Sequence, residues 1–323
     1  MSLLSSLRRS VARRPYTRGA VDLARPVYRR LRTRWLRLRH PRGGFVTGNG
    51  VRVFVDFQSP TYEWYDADAP NLSFDQGVIR GAIAASGGNV FVDVGAHFGF
   101  YAAYVADLAR EAGTAMRIVA FEPDRRHCEC LRSTLAPYDD LDISIVPVAV
   151  TDAIGTVAMY RSSDASCLHS YHDATATLAY SVDGVTLDSA LETYIGINDR
   201  VAVIKIDVDG AEPSVFRGAE RILREHRPIV FTEFAPKLLR RNRTDPKQFF
   251  SELCSRFHTY WVRQERKSIV EVSAGDFEEI EASIDIVTDV LLSDRPLDLA
   301  TFSDGAVTDI PKLAGERGLK AGH

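Results

Sequence analysis

Val90-Phe91-Val92-Asp93-Val94-Gly95-Ala96-His97-Phe98-Gly99 reads as a buried apolar strand that runs into an acidic, glycine-bearing turn and then a helix. The apolar run does not alternate with polar residues, which suits a central parallel strand covered on both faces. Gly95 permits a tight turn, and Gly99 opens the following helix to close approach by a ligand. The spacing is Asp-x-Gly-x-x-x-Gly. It lacks the second glycine that lets a pyrophosphate press on the backbone in Gly-x-Gly-x-x-Gly turns, so a cofactor without phosphates is favoured. The stretch predicts an α/β fold with a doubly wound sheet and its ligand at the carboxyl ends of the strands.

A second apolar strand, Met116-Arg117-Ile118-Val119-Ala120-Phe121-Glu122-Pro123, ends in a carboxylate placed to accept both hydroxyls of a ribose. An acid at the end of the second strand does this for adenosine cofactors generally. Alone it does not separate a dinucleotide from S-adenosylmethionine; together with the first turn it favours S-adenosylmethionine. The plainer alternative is a strand-end acid that caps the next helix.

Two further runs follow, Val201-Ala202-Val203-Ile204-Lys205-Ile206-Asp207-Val208-Asp209-Gly210-Ala211-Glu212 and Arg227-Pro228-Ile229-Val230-Phe231-Thr232-Glu233-Phe234. With the Asp-Val-Gly-Ala turn and the Phe-Glu-Pro strand end they make an ordered set, and by it the chain resembles the FkbM family of S-adenosylmethionine-dependent methyltransferases. His97 stands where that family usually has Asn, and Asp209 where it usually has Glu. The resemblance spans Phe74 to Phe234, with a weaker echo to Arg295. It implies a class I, Rossmann-like methyltransferase with a seven-stranded, mostly parallel sheet and S-adenosyl-L-methionine as cofactor. The motif positions carry the cofactor contacts across as Asp93, Gly95, Ala96, His97, Gly99, Glu122, Ala149 and Asp207. Among these, Ala149 lies near the adenine if the family geometry holds.

Asp207, Asp209 and Glu233 lie at or just past strand ends on the ligand-facing edge, and are the candidate catalytic residues. Methyl transfer from a sulfonium is an in-line displacement in which alignment matters most. A hydroxyl acceptor also needs a base within hydrogen-bond reach. Asp207 is expected nearest the methyl, with Asp209 or Glu233 as base or orienter. Asp207 and Asp209 share one orientation if the strand persists through them. The same three acids holding a divalent ion is the less favoured arrangement, and no metal ligands are assigned. Glu212 suits the first turn of a helix, and Lys205 neutralises neighbouring carboxylates from inside its strand. His97 either donates a hydrogen bond or accepts a proton. The fourth strand end lacks the Asn-Pro-Pro-Tyr type of motif expected for base N-methylation. The resemblance therefore implies O-methylation of a sugar, glycolipid or natural-product hydroxyl. A nicotinamide-dependent oxidoreductase and a non-catalytic binding protein on a Rossmann-like fold are the alternatives.

Net charge is −3, but residues 1–42 hold thirteen arginines against one acid, Asp22. This arginine-rich arm and the acidic remainder are different objects. Leu31, Trp35 and Leu38 recur at helical spacing, as do Leu4, Leu7 and Val11, with Pro15 and Pro26 breaking the arm into short pieces. Such an arm can lie on an anionic membrane, dock on an acidic surface, or, less favoured, meet nucleic acid. No stretch is long and apolar enough to span a bilayer, and the amino terminus does not read as a secretory signal. The expected location is cytoplasmic, with peripheral contact at the inner face of the membrane. Four cysteines make no disulfide framework, and Cys128 and Cys130 point to different helix faces.

Residues 43–73 are expected to form a hairpin over Phe45 to Phe57 about Gly48-Asn49-Gly50 and a substrate-access segment rich in aromatics and acids, Tyr62, Trp64, Tyr65, Asp66 and Asp68. Residues 74–295 form the methyltransferase domain, and 296–323 a Gly- and Asp-rich tail that dangles. Within the domain the reading places helices over Phe74 to Ala85, Phe100 to Ala112 and Arg125 to Leu135, and a third strand over Ile143 to Val150. Met159 to Val182 reads as a polar excursion holding Ser166, His169, Tyr171 and His172. A strand and helix over Val185 to Tyr194 follow. A helix over Pro246 to Phe257 and strands His258 to Gln264 and Ile284 to Ser293 close the sheet with an antiparallel pair.

Overall fold

A computed structural model describes residues 32–65, 70–161, 177–284 and 287–302. Expectations for Leu4, Leu7, Val11 and Leu31, for Asp66 and Asp68, for Ser166, His169, Tyr171 and His172, and for the tail beyond 302 lie outside the described residues.

Helix α1, residues 32–39, precedes a hairpin of β1 (Gly44–Gly48) and β2 (Val51–Val55) that turns through Asn49 and Gly50, both at positive φ. A 3₁₀ segment, Pro60–Tyr65, leads on to α2 (Pro70–Ser86), which starts one turn earlier than expected with proline at its first position. Then come β3 (Val90–Val94), α3 (Phe100–Ala112), β4 (Arg117–Phe121), α4 (Arg125–Leu135), β5 (Ile143–Val146), β6 (Ala149–Val150), β7 (Gly155–Arg161), β8 (Thr177–Val185), α5 (Leu187–Tyr194) and β9 (Val201–Ile206). The chain continues through α6 (Glu212–Arg217), α7 (Glu220–His226), β10 (Ile229–Phe234), α8 (Pro236–Arg241) and α9 (Pro246–Arg256). It ends with β11 (His258–Arg263), β12 (Ser268–Val272), α10 (Phe277–Ser283) and β13 (Thr288–Ser293).

The main sheet has eight strands in the order β12-β11-β13-β10-β9-β3-β4-β5. The strands β5, β4, β3, β9 and β10 run parallel, and β13 is antiparallel to both β10 and β11. The expected seven strands are thus present, and β12 adds an antiparallel edge. One apolar core lies between the sheet and α2, α3, α4 and the hairpin, through Val53, Val55, Ile79, Phe91, Phe98, Ala106, Leu131 and Phe231. The other lies under α5, α6, α7, α9 and α10, through Val92, Leu191, Ile204, Phe216, Ile222, Phe250 and Ile280. Helices on both faces keep the central strands dry, which is why they read as unbroken apolar runs.

Three elements differ from expectation. The third strand does not run from Ile143 to Val150. It stops at Val146 because Pro147 has no N–H for the ladder, and Ala149–Val150 pairs instead with β8 in a separate three-stranded sheet, β6-β8-β7. The flanks of the polar excursion are the antiparallel strands β7 and β8, exposed on one side and therefore polar in sequence. The first residues of the tail do not dangle. Residues 299–302 form a 3₁₀ turn whose Phe302 is buried over Gly81, at a spot where any β-carbon would collide with its ring.

Candidate active site

The carboxyl ends of β3, β4, β9 and β10 converge on the turn after β3, residues 95–99. Asp93 and Lys205 are register partners on β3 and β9, with Lys205 Nζ 3.4 Å from Asp93 Oδ1 and 3.3 Å from Asp207 Oδ2. The ammonium also donates to the Gly95 carbonyl at 3.0 Å. Burial favours loss of its proton, but Asp207 and Asp93 outweigh burial and raise its pKa above the ordinary lysine value. Lys205 neutralises carboxylates, as expected. Asp93 is fully buried, and neither of its oxygens has a hydrogen-bond partner. Burial raises its pKa despite Lys205.

Gly95 has no substitute in this turn. Its φ is +81°, its amide and that of Ala96 donate to the Phe121 carbonyl, and a β-carbon there would stand 1.8 Å from the Asp207 carbonyl oxygen. Gly99, at φ +87°, precedes α3 and packs against Leu131. His97 also sits in the left-handed region, at φ +51°, and its amide donates to Glu122 Oε2 at 2.7 Å. Its ring meets Thr61 Oγ1 at 3.1 Å through Nε2 and Tyr65 Oη at 3.0 Å through Nδ1, and stacks on Tyr65. Burial first, then His127 and Lys205, hold the imidazole neutral, well below its ordinary pKa.

Glu122 is 5% exposed, and its Oε1 accepts the Asp124 amide at 2.8 Å. Asp124, not Glu122, caps α4, accepting from the amides of Arg126 and His127. The helix-cap alternative for Glu122 is therefore filled by its neighbour. His127 Nδ1 lies 3.7 Å from Glu122 Oε1; burial opposes its charge, but Glu122 prevails and its pKa is raised. Ala149 is buried in β6, next to the main sheet's edge and outside it.

The two aspartates do not share one orientation. The strand ends at Ile206, and Asp209 turns the chain at φ +52° before Gly210 at +93°. Glu212 holds this turn, with Oε1 accepting the amides of Val208 and Gly210 at 3.1 Å each. Its role extends past the start of α6, because its carboxylate replaces ladder bonds that the strand no longer makes. Asp207 is 44% exposed, whereas burial, followed by Asp207 and Glu122, raises Asp209 to about 7. Burial raises Glu212 to about 7 against the pull of its amide donors.

Glu233 faces Asp289 across β10 and β13, and its Oε2 is buried without a hydrogen-bond partner. Burial pushes both well above the carboxylate range, with Asp207 the next cause for Glu233 and Asp75 for Asp289. Gln264 Nε2 bridges Asp289 Oδ2 at 2.5 Å and Asp75 Oδ1 at 3.2 Å, and Tyr101 Oη donates to Asp75 Oδ2 at 3.1 Å. Burial raises Asp75 to about 7. Asp75, Tyr101, Gln264 and Asp289 were absent from the sequence-derived set, as were Thr61 and His127. Asp75 carried a signal, since it precedes Val78, Ile79 and Ala82 at the spacing of the buried face. Asp289, inside the apolar run of β13, carried another.

Among the described residues, no group of three or more His, Cys, Asp or Glu is arranged to hold a metal ion. Asp207, Asp209 and Glu233 gather at one edge without forming such a cage. Beside its Lys205 ion pair the buried Asp93 carboxylate makes no hydrogen bond, and an acidic edge of this kind suits a cationic ligand; S-adenosylmethionine carries both a sulfonium and an ammonium.

The sequence model of the methyltransferase FkbM domain matches residues 93–281, more than half of the chain. The chain belongs to the FkbM methyltransferase family. An FkbM methyltransferase thus depends on S-adenosylmethionine. No curated protein matches the chain in sequence. Solved structures that resemble it include the methyltransferase FkbM from Methylobacillus flagellatus, at 17% identity and TM-score 0.40, covering 64% of this chain and 44% of that one. The chain therefore spans less than half of that relative. Another is the O-methyltransferase from Bacillus cereus in complex with SAH, at 14% identity and TM-score 0.37, covering 68% and 79%. A third is the precorrin-6y C5,15-methyltransferase from Geobacter metallireducens, at 10% identity and TM-score 0.37, covering 68% and 87%.

Among the described residues, no helix is long and apolar enough to cross a membrane. Cys128 and Cys130 are both buried, with Cys128 Sγ donating to the Glu122 carbonyl.

Proposed function

We propose that the chain transfers a methyl group to a hydroxyl of a sugar, glycolipid or natural-product acceptor. The observation that carries this reading is the set of carboxyl groups, Asp207, Asp209 and Glu233, beside the donor turn. An amine acceptor is already nucleophilic once neutral, whereas a hydroxyl needs a base. The donor, when bound, supplies a methyl already activated on sulfur. In this reading Asp93, Gly95, Ala96, His97, Gly99, Glu122, Ala149 and Asp207 hold it, with Glu122 on the ribose hydroxyls. Asp207, 3.3 Å from the Lys205 ammonium, stands nearest the methyl and the positive sulfur. Asp209, raised to about 7, takes the acceptor proton at neutral pH. Glu233, held well above the ordinary carboxylate range by burial, orients the acceptor through a hydrogen bond.

Helix α1 supports a location at a cytoplasmic membrane face. Trp35 is 56% and Leu38 77% exposed, in a stretch that also holds Arg32, Arg34, Arg37 and Arg39. A basic helix with an apolar tip suits an anionic leaflet, and hence a lipid-linked acceptor.

Calorimetric titration of the purified, cofactor-stripped chain with S-adenosylhomocysteine, with and without EDTA, tests the donor site. Binding at roughly micromolar Kd, unchanged by EDTA, is expected. Absence of binding in both conditions overturns the reading. Transfer of a labelled methyl to hydroxylated glycans and glycolipids then tests the acceptor class, and label found only on amine acceptors overturns that part.

A further inference from the structure

The donor turn is gripped from outside the cofactor domain. Thr61 and Tyr65, from the 3₁₀ segment that follows the hairpin, reach the two ring nitrogens of His97 at 3.1 Å and 3.0 Å. Tyr65 also stacks on the ring, with centroids 5.7 Å apart and planes 24° apart. Phe98 and His127 pack against it at 3.8 Å and 4.2 Å. The segment is itself anchored. Thr61 is fully buried and bonds Ser59 Oγ at 2.6 Å, and the Asp56 carboxylate at the end of the hairpin pairs with Arg126 of α4.

The backbone of His97 is what this grip controls. A residue with a β-carbon adopts φ near +51° only where its surroundings hold it. That conformation aims its amide at Glu122 Oε2, 2.7 Å away. The remaining lone pairs of Glu122 are then directed by the amides of His97 and Asp124. A neutral imidazole has one donor and one acceptor nitrogen, and two hydroxyl partners satisfy either tautomer. Asn tolerates the left-handed region more readily than His, because its short polar side chain bonds locally.

We propose that Thr61 and Tyr65 are positioning residues of the donor site, which clamp the His97 ring so that its backbone amide aims Glu122 at the ribose hydroxyls. The proposal rests on the reading of Glu122 as the ribose carboxylate. It makes the N-terminal segment part of the donor site, where the cofactor motifs alone place only the turn and the strand ends.

The test is calorimetric titration of the full chain and its Thr61→Val and Tyr65→Phe variants with S-adenosylhomocysteine, in two backgrounds. In the native background each variant is expected to weaken binding about threefold to tenfold, the loss of one hydrogen bond acting through a second. In a His97→Asn background the turn no longer depends on the ring, so the same substitutions are expected to change binding less than about twofold. Equal losses in both backgrounds indicate packing alone and overturn the clamp, as does unchanged binding in the native background. The His97 imidazole, followed by NMR, gives a readout that needs no donor. Its ring resonances are expected to shift and broaden in the Tyr65→Phe variant as the ring loses its Nδ1 partner, and unchanged ring resonances overturn the proposal. If the unsubstituted chain fails to bind S-adenosylhomocysteine, the donor reading falls and the proposal with it. Binding by the unsubstituted chain with no effect of either variant removes the proposal only.

Discussion

Two buried contacts decide what single substitutions do. Lys205 is the cation held between Asp93 and Asp207, and Asp93 has no hydrogen bond to fall back on. Lys205→Met leaves that carboxylate buried and uncompensated, which is expected to cost about 3–5 kcal/mol in chemical unfolding. A second change, Asp93→Leu, removes the stranded charge and is expected to recover much of the loss. If Lys205→Met costs under about 1 kcal/mol, water reaches Asp93 and the pair is not sealed. Glu122 and Asp207 have separate roles in the proposed reaction. If Glu122 holds the ribose as proposed, Glu122→Ala is expected to weaken S-adenosylhomocysteine binding roughly 10- to 100-fold. Asp207→Asn keeps the shape of the site and is expected to lower turnover with binding nearly intact. Full activity in the second variant takes Asp207 out of the chemistry.

At the scale of elements, the carboxyl ends of four adjacent strands and the start of α2 bring more acids together than one lysine can balance. Asp75, Asp209 and Glu212 lie near 7, Glu233 and Asp289 are pushed well above the ordinary carboxylate range, and burial is the first cause in each. The folded chain therefore keeps protons that the unfolded chain releases above its ordinary carboxylate pKa, near 4. Unfolding thus releases protons, and stability falls as pH rises from about 4 through about 7. His97 acts the other way below its ordinary value, since its buried ring resists protonation, but the acids outnumber it. The ligand-free chain is expected to melt several degrees higher at pH 5.5 than at pH 7.5. A melting point that is flat or rises over that interval shows the carboxyl groups to be hydrated and ionised.

These acids also mark the limit of what the sequence made legible. The parallel strands announced themselves by unbroken apolar runs, and the turns at Gly95 and Gly210 by glycines whose absent β-carbons leave room for facing backbone. Strand β12 did not, because its short Ser-Ile-Val-Glu-Val run is an edge strand half open to solvent and too brief to show a periodic pattern. Pro147 was visible, yet where the chain went after it depended on β8, far away in sequence. In the candidate site, the strand-end positions of Glu122, Asp207 and Glu233 were legible, and their proposed roles rest on those positions. The Gln264 bridge was not, since Asp75 and Asp289 meet only after α2 and β13 are laid on the same face.

The whole molecule has its hairpin and its sheet in one core and its charges in two camps. Val53, Val55 and Phe57 pack in the same apolar cluster as α3 and α4, and the Phe54 amide donates to Thr134 Oγ1 at 2.9 Å, so the hairpin is a wall of the cofactor body. Helix α1 is seated on that wall by buried Leu36 and by Arg37, whose Nε donates to the Phe57 carbonyl at 2.7 Å. Trp35 and Leu38 are exposed, and the arginine-rich stretch of the sequence contrasts with a remainder whose own balance is acidic. A surface of this composition is attracted to anionic lipid and repelled by nothing in neutral lipid, so charge and apolar contact are separable by experiment. Co-sedimentation with phosphatidylglycerol vesicles at low salt is expected to capture the chain. Capture should fall steeply as salt is raised to about 0.5 M, where the screening length drops to a few ångströms. Trp35→Ala with Leu38→Ala is expected to weaken capture at every salt concentration, because it removes the part that enters the lipid. Equal capture by phosphatidylcholine vesicles overturns the electrostatic part of this account. No capture by either vesicle leaves the arginines to an acidic macromolecule, and the acceptor then need not be lipid-linked.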